Sequence, residues 1–142
     1  MTRPGAVLAA ILLALLALAG PVAALDEADW AGVRATIGGQ IEAFGRDDAA
    51  GAYAFAGPGI RDIFPSEDGF LAMVRRAYPP VYRPRRFTYG ALEEAPEGFV
   101  QRVEIQDGAG QDWVARYTLE RRSDGSFAIT GCTLERAPGE SA

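Results

Sequence analysis

Apolar positions follow two regimes along this chain. From about residue 26 to residue 78 they recur every three or four residues, and from Phe87 onward they alternate. The first regime predicts helices. Trp30, Val33, Ile37, Ile41 and Phe44 form one stripe, with Asp26 placed to cap it and Asp29 near the positive end. Gly38-Gly39 interrupts that helix at a cost of about 1 kcal/mol per glycine relative to alanine. Close approach of another element to the helix backbone is the expected compensation, and Gly45 is the expected stop. Asp47 or Asp48 can cap a short second helix carrying Tyr53 and Phe55, which Gly57-Pro58-Gly59 ends. Ser66 caps a third helix, with Glu67 and Asp68 in its first turn and Phe70, Met73, Val74, Ala77 and Tyr78 on its apolar face.

The stretch "AYPPVYRPRRF", residues 77–87, joins the two regimes. Proline disfavours helical geometry in the residue before it, so Tyr78 should end the third helix. Pro79, Pro80 and Pro84 then predict an extended, polyproline-like strap, with Tyr82 folding back onto the helices. Arg83, Arg85 and Arg86 could bind an anionic ligand or an acidic partner, but the acidic residues of the chain itself offer partners, which favours the strap.

Beyond it, Phe87, Tyr89 and Ala91 alternate with Thr88 and Gly90. Phe99, Val103 and Ile105 share one face, against Arg102, Glu104 and Gln106 on the other. Trp113, Ala115, Tyr117 and Leu119 continue the apolar face after the turn "DGAGQ". "SDG" marks a hairpin before Phe127 and Ile129 open a last strand running to about Glu135. The expected architecture is α+β: three N-terminal helices packed on a curved four-stranded antiparallel meander, a cone whose open end can hold a pocket.

The chain has 142 residues and opens differently. Arg3 precedes an Ala/Leu run from Ala6 to Ala19, then Gly20-Pro21 and the small residues Val22-Ala23-Ala24. The run is shorter than the roughly 20 residues that span a bilayer. Residues 1–24 therefore read as a signal peptide cleaved after Ala24, with an N-terminal anchor as the less favoured alternative. Residues 25–136 read as one domain and 137–142 as a frayed tail, in an exported, periplasmic or secreted protein. A net charge of −5 gives no electrostatic footprint for nucleic acid. The absence of histidine removes Ser-His-Asp and Cys-His catalysis and ordinary zinc sites. Cys132 is the single cysteine, so no internal disulfide can form, and a buried, inert thiol is the default. No cofactor or metal is expected.

Three stretches, "IGGQIEAFGRDDAAGAYAFAGPGIRDIF", "FLAMVRRAYPPVYRP" and "GSFAITGCTLER", resemble DUF4864, a small bacterial family with no established activity. They span most of residues 37–136. Where similar sequences tend to have Trp near position 127, this chain has Phe127, a conservative departure. The resemblance implies the nuclear-transport-factor-2-like, or cystatin-like, fold, in which homodimers pairing through the sheet are common. The wider fold also includes ketosteroid-isomerase-like and dehydratase enzymes with a carboxylate base and a tyrosine or acid in the cone. An analogous set here would draw on Asp47, Asp48 or Asp62 with Tyr53, Tyr89 or Tyr117. Yet Asp47 and Asp48 stand where a helix cap is needed, Asp62 reads as a surface or turn residue, and the dehydratases' histidines are absent.

Trp113 and Tyr117, two apart on one strand, could line a pocket with Phe99 and Phe127, although core packing explains the same stripe. The candidate ligand-binding residues are Tyr53, Tyr82, Arg83, Trp113 and Tyr117, and none is singled out as catalytic. The expectation is a non-catalytic module that binds a small apolar ligand or a protein partner, a second copy included. The alternative is a pocket enzyme of isomerase, dehydratase or cyclase type using an Asp base and a Tyr.

Overall fold

Asp26 does cap the first helix. In the computed structural model, which describes residues 25–138, its side chain accepts from the Asp29 amide while Asp29 reaches back to the Asp26 amide. This reciprocal box starts α1 (Glu27–Gly45). Val33, Ile37, Ile41 and Phe44 are buried along it, and Trp30 lies at the half-buried edge. The paired glycines are where other elements come closest. A Cβ on Gly39 would sit 2.7 Å from the Phe55 ring, and one on Gly38 would sit 2.9 Å from the Tyr89 hydroxyl. That hydroxyl donates to the Arg34 carbonyl at 2.8 Å, so side chains, rather than another backbone, use the room.

After α1 the chain turns through Asp47, which has a positive φ of 54° that short polar residues tolerate. Asp48, not Asp47, caps α2 (Ala49–Ala54), accepting from the Gly51 amide at 2.9 Å. Gly57-Pro58-Gly59 does not simply end structure: Pro58 opens α3 (Pro58–Ile63) at the first helical position, where its missing N–H is not needed. Ser66 caps α4 (Glu67–Ala77) as expected. The extended strap is also corrected. Tyr78 leaves helical geometry, but Pro79 then starts a helical turn, α5 (Pro79–Tyr82), for the same reason that Pro58 starts α3.

The sheet is an antiparallel meander of β1 (Arg86–Ala95), β2 (Gly98–Gln106), β3 (Asp112–Arg121) and β4 (Phe127–Arg136), in that spatial order. Two bulges break the expected alternation. On β1, Gly90 and Ala91 together oppose Arg102, so Leu92 is buried and Ala91 turns outward, reversing its expected side. The buried Gln101 amide occupies this bulge, donating to the Gly90 and Arg102 carbonyls at 3.0 and 2.7 Å. On β4, Thr130 is the extra residue between Ile129, paired with Leu119, and Gly131, paired with Thr118. Phe127 and Ile129 point inward before it, and Cys132, directly opposite Tyr117, points inward after it.

The core lies between the helices and the inner sheet face, where Val103, Ile105, Ala115, Tyr117 and Leu119 are at most 2% exposed. Each large apolar side chain buried this fully contributes about 1.5–3 kcal/mol. Among the described residues, no helix is long and apolar enough to cross a membrane. The leader expected over residues 1–24 and the last four residues of the expected tail lie outside the described residues.

Candidate functional site

The Thr130 bulge and two of the short helices, α3 and α5, bear on one place. The backbone of Ile129 bonds to the segment between α2 and α3, with Ile129 N donating to Phe55 O and Gly57 N to Ile129 O, each at 2.8 Å. This draws α3 against the β4 edge of the sheet. The α5 turn brings Val81 back toward α1. Between them a cavity of about 130 Å³ remains at one end of the core. Gln40 and Phe44 of α1 form one wall, and Ile60 and Phe64 from around α3 another. Phe70, Met73 and Val74 of α4, followed by Tyr78 and Val81, form a third. Tyr117, Ile129, Gly131 and Cys132 form the floor. Phe70 fixes its neighbours by tilted ring contacts, 6.0 Å to Phe44 and 6.4 Å to Phe64.

The polar groups of this wall are few. Gln40 Nε2 donates to the Ala52 carbonyl at 3.2 Å. The Cys132 thiol lies beside the Tyr117 hydroxyl, and burial pushes its pKa up to about 12. It therefore carries no thiolate near neutrality and is a poor nucleophile, in agreement with the inert thiol expected. Tyr117 is 1% exposed, and no group of the described chain hydrogen-bonds its hydroxyl. Burial, with Cys132 next to it, holds its pKa well above the usual 10.0, so the phenol stays neutral. Cys132 acts on this acidity by charge and by a loose polar contact, but the two groups fall short of ordinary hydrogen-bond geometry.

Of the five candidate residues, Tyr117 alone lines the cavity. Tyr53 braces its outside: its hydroxyl donates to the Phe64 carbonyl at 2.7 Å, and the Arg61 guanidinium lies 4.6 Å over its ring. Trp113 sits near the turn between β2 and β3, its indole N–H donating to Asp107 Oδ2 at 2.9 Å. Tyr82 and Arg83 belong to an exposed polar cluster around Asp47. Arg75 and Arg83 each donate to its carboxylate, at 2.7 and 2.8 Å, and the Tyr82 hydroxyl donates to the same group. The Tyr82 bond, followed by Arg75, holds the Asp47 carboxyl below its usual value. Arg83 thus has an intramolecular partner, as the acidic composition suggested. Arg85 also turns inward on the chain, donating to the Gly108 carbonyl at 2.8 Å.

The carboxylates proposed for a pocket enzyme do not reach the cavity. Asp48 caps α2, Asp47 is held by the arginines, and Asp62 is exposed on α3. Among the described residues no Asp or Glu lines it, and no group of potential metal ligands forms. Sequence patterns missed Gln40, Ile60, Phe64 and Val81. A glutamine set within the apolar stripe between Ile37 and Phe44 was a usable signal for the first.

The sheet's other face presents a second, more polar groove of about 280 Å³, flanked by Val100, Arg102, Val114, Arg116, Glu93 and Glu135. Arg102 and Arg116 stand directly opposite each other on β2 and β3, and neither forms an ion pair with a described residue.

Comparison with known proteins gives a fold relative and a family. An NTF-2 like protein of unknown function from Silicibacter pomeroyi DSS-3 superposes with a TM-score of 0.53 at 18% identity, over 76% of this chain and 95% of that one. At that identity the likeness speaks for the fold alone: helices packed on one face of a curved antiparallel meander. No curated protein sequence matches the chain. The model of the family described as "Domain of unknown function (DUF4864)" matches residues 26–142, which takes in every helix and strand above, and the chain belongs to that family.

Proposed function

We propose that this protein is a non-catalytic binding module whose helix–sheet cavity holds a small apolar molecule. The observation that carries this is the composition of the wall: apolar and aromatic side chains converge on a half-open cavity, with no carboxylate, arginine or histidine among them. The volume of about 130 Å³ lies below that of drug-sized sites and close to the roughly 150 Å³ apolar cavity that accepts benzene. A general base is missing from the wall, so binding is favoured over acid–base turnover. The leader-like residues 1–24 support an exported protein, and mature material should then begin at Leu25 on N-terminal sequencing.

Benzene is a direct probe. Titrating it into methyl-labelled protein should shift the methyl signals of Ile60, Val74, Val81 and Ile129 together and leave Val114, on the outer sheet face, unmoved. Unshifted cavity methyls at saturating benzene would show a space that takes no ligand and would overturn the proposal.

A second reading concerns that outer face. Like charges directly opposite on neighbouring strands are unfavourable unless a counter-charge covers them. Glu93, Glu104 and Glu135 lie on the same face, so a second copy turned over it could set carboxylates against Arg102 and Arg116. Sedimentation should then give a dimer that Arg102→Glu disrupts; a monomer at high concentration would remove this reading.

A further inference from the structure

Tyr117 distinguishes the cavity from a purely hydrocarbon one. Its phenol is both donor and acceptor, and its oxygen is the only fully buried side-chain N or O atom of the wall left without a partner among the described residues. Gln40 is engaged with the Ala52 carbonyl, and the Cys132 thiol faces the Thr133 carbonyl at 3.9 Å. The other buried polar atoms without partners, Arg34 Nε and Gln101 Oε1, belong to side chains that do not line the cavity. Leaving a buried hydroxyl unpaired costs about 1–3 kcal/mol, and an occupant that accepts its proton recovers part of that. A charged occupant would fare differently. It would give up its hydration and meet no opposite charge, since no Asp, Glu or Arg lines the space.

We propose that the cavity selects a small uncharged oxygen compound, about the size of benzene with one carbonyl oxygen, which accepts a hydrogen bond from Tyr117 Oη. This rests on the cavity being a ligand site, and it adds the ligand's class and the residue that reads it. A ring or short branched chain fills the apolar part between Phe70, Val74 and Val81. The carbonyl points to the β3–β4 floor, where the Thr130 bulge sets Cys132 and Gly131 beside Tyr117. The hydroxyl oxygen itself has almost no accessible surface, so the ligand's oxygen meets it once the small Cys132 side chain beside it turns aside. Binding leaves the ligand chemically unchanged, since the Cys132 thiol beside the phenol stays protonated near neutrality and no Asp or Glu lines the space.

Cyclohexanone, methylenecyclohexane and cyclohexanecarboxylate test this with nearly constant shape: an acceptor, a hydrocarbon and an anion. Affinities would be taken from NMR titration of the full-length protein. The ketone should bind about five- to tenfold more tightly than the alkene, the margin of one net hydrogen bond. The anion should not bind. Tyr117→Phe should bring the ketone-to-alkene ratio to about one while leaving the alkene's affinity in place. If that variant does not fold, the infrared carbonyl stretch of bound isotope-labelled cyclohexanone in the wild-type protein replaces it. A shift below the stretch in alkane solvent supports the bond to Tyr117, and an alkane-like stretch overturns it. Equal binding of ketone and alkene to the wild-type protein would sink the inference but keep the binding module. A preference that survives Tyr117→Phe would move the donor elsewhere and defeat the assignment. Failure of all three probes and of benzene to bind would remove the binding module itself.

Discussion

Tyr82 and Tyr117 have the same side chain in opposite circumstances. Tyr82 sits at the surface, its hydroxyl bonded to Asp47 and approached by Arg75 Nε at 3.0 Å, with Arg75 and Arg83 stacked near its ring. Tyr117 is enclosed by the core, and its hydroxyl has no hydrogen-bond partner among the described residues. The polar cluster around Tyr82 looks like a site because it gathers charges. Those charges satisfy one another, so the cluster fastens the α5 turn and the residue after it to the end of α1 and offers little to a ligand. The cavity around Tyr117 gathers almost no charge, yet it contains the unsatisfied group. An incomplete hydrogen bond, more than a concentration of chemistry-bearing residues, marks the place where a ligand adds something.

Truncation should widen this contrast most. Tyr117→Ala removes a ring with 1% exposure from the inner sheet face and should cost about 3–5 kcal/mol, because the packed β3–β4 floor cannot collapse around the space. Tyr82→Ala removes a half-buried ring and should cost clearly less. Urea unfolding midpoints, read with the slope to confirm a two-state transition, provide the comparison. Similar losses at the two positions would mean that the Asp47 cluster carries more of the fold than its exposure suggests.

The helix and strand periods made most of this fold legible, because burial of one face imposes them directly. Asp26, Asp48 and Ser66 announced their helices through local capping, which depends on neighbours within three residues. Pro58 and Pro79 misled for a local reason: proline disrupts a helix interior but favours the first helical turn, and pattern alone does not tell the two apart. The bulges at Gly90-Ala91 and Thr130 were hidden because alternation reads on through a one-residue insertion and then reports the wrong face. The candidate site was legible only as a set of aromatic residues. Tyr53, Trp113 and Tyr117 look alike in sequence. What separates them is whether a partner arrives from elsewhere: Phe64 O for the first, Asp107 for the second and none for the third. Such pairings are fixed by tertiary placement, which local periodicity does not encode.

Charge sharpens the comparison at intermediate scale. Asp47→Asn retains a residue that tolerates the positive φ and removes only the ionic part of the cluster. The bond from Tyr82 and the neighbouring Arg75 make the folded carboxyl more acidic than its ordinary 3.8, so its contribution is present above that value and fades as pH falls beneath it. At neutral pH and low salt the variant should melt below the wild-type protein. The gap should narrow in high salt and close as pH drops below 3.8, both followed by circular dichroism. A gap that ignores salt and pH would show that the cluster acts through shape alone. No corresponding salt dependence is expected for variants of Tyr117, whose surroundings hold no charge to screen.

The finest distinction comes from deleting one oxygen at each tyrosine. Tyr82→Phe breaks a charge-assisted bond to Asp47 at a half-buried position, and the Asp47 carboxylate keeps Arg75 and Arg83. A small loss is expected, because the bond is exposed to solvent. Tyr117→Phe deletes a hydroxyl that has already left water without finding a protein partner, so the free protein should be unchanged or gain up to about 1 kcal/mol. The two identical edits should therefore carry opposite signs or, at the least, only the first should destabilise. Differential scanning calorimetry with ligand absent and then with saturating cyclohexanone separates the causes. Ketone should raise the wild-type melting temperature more than that of Tyr117→Phe, while Tyr82→Phe should keep the full increment. A Tyr117→Phe protein that is destabilised without ligand would place a lasting partner on that hydroxyl in the free molecule, and the contrast between the two tyrosines would close.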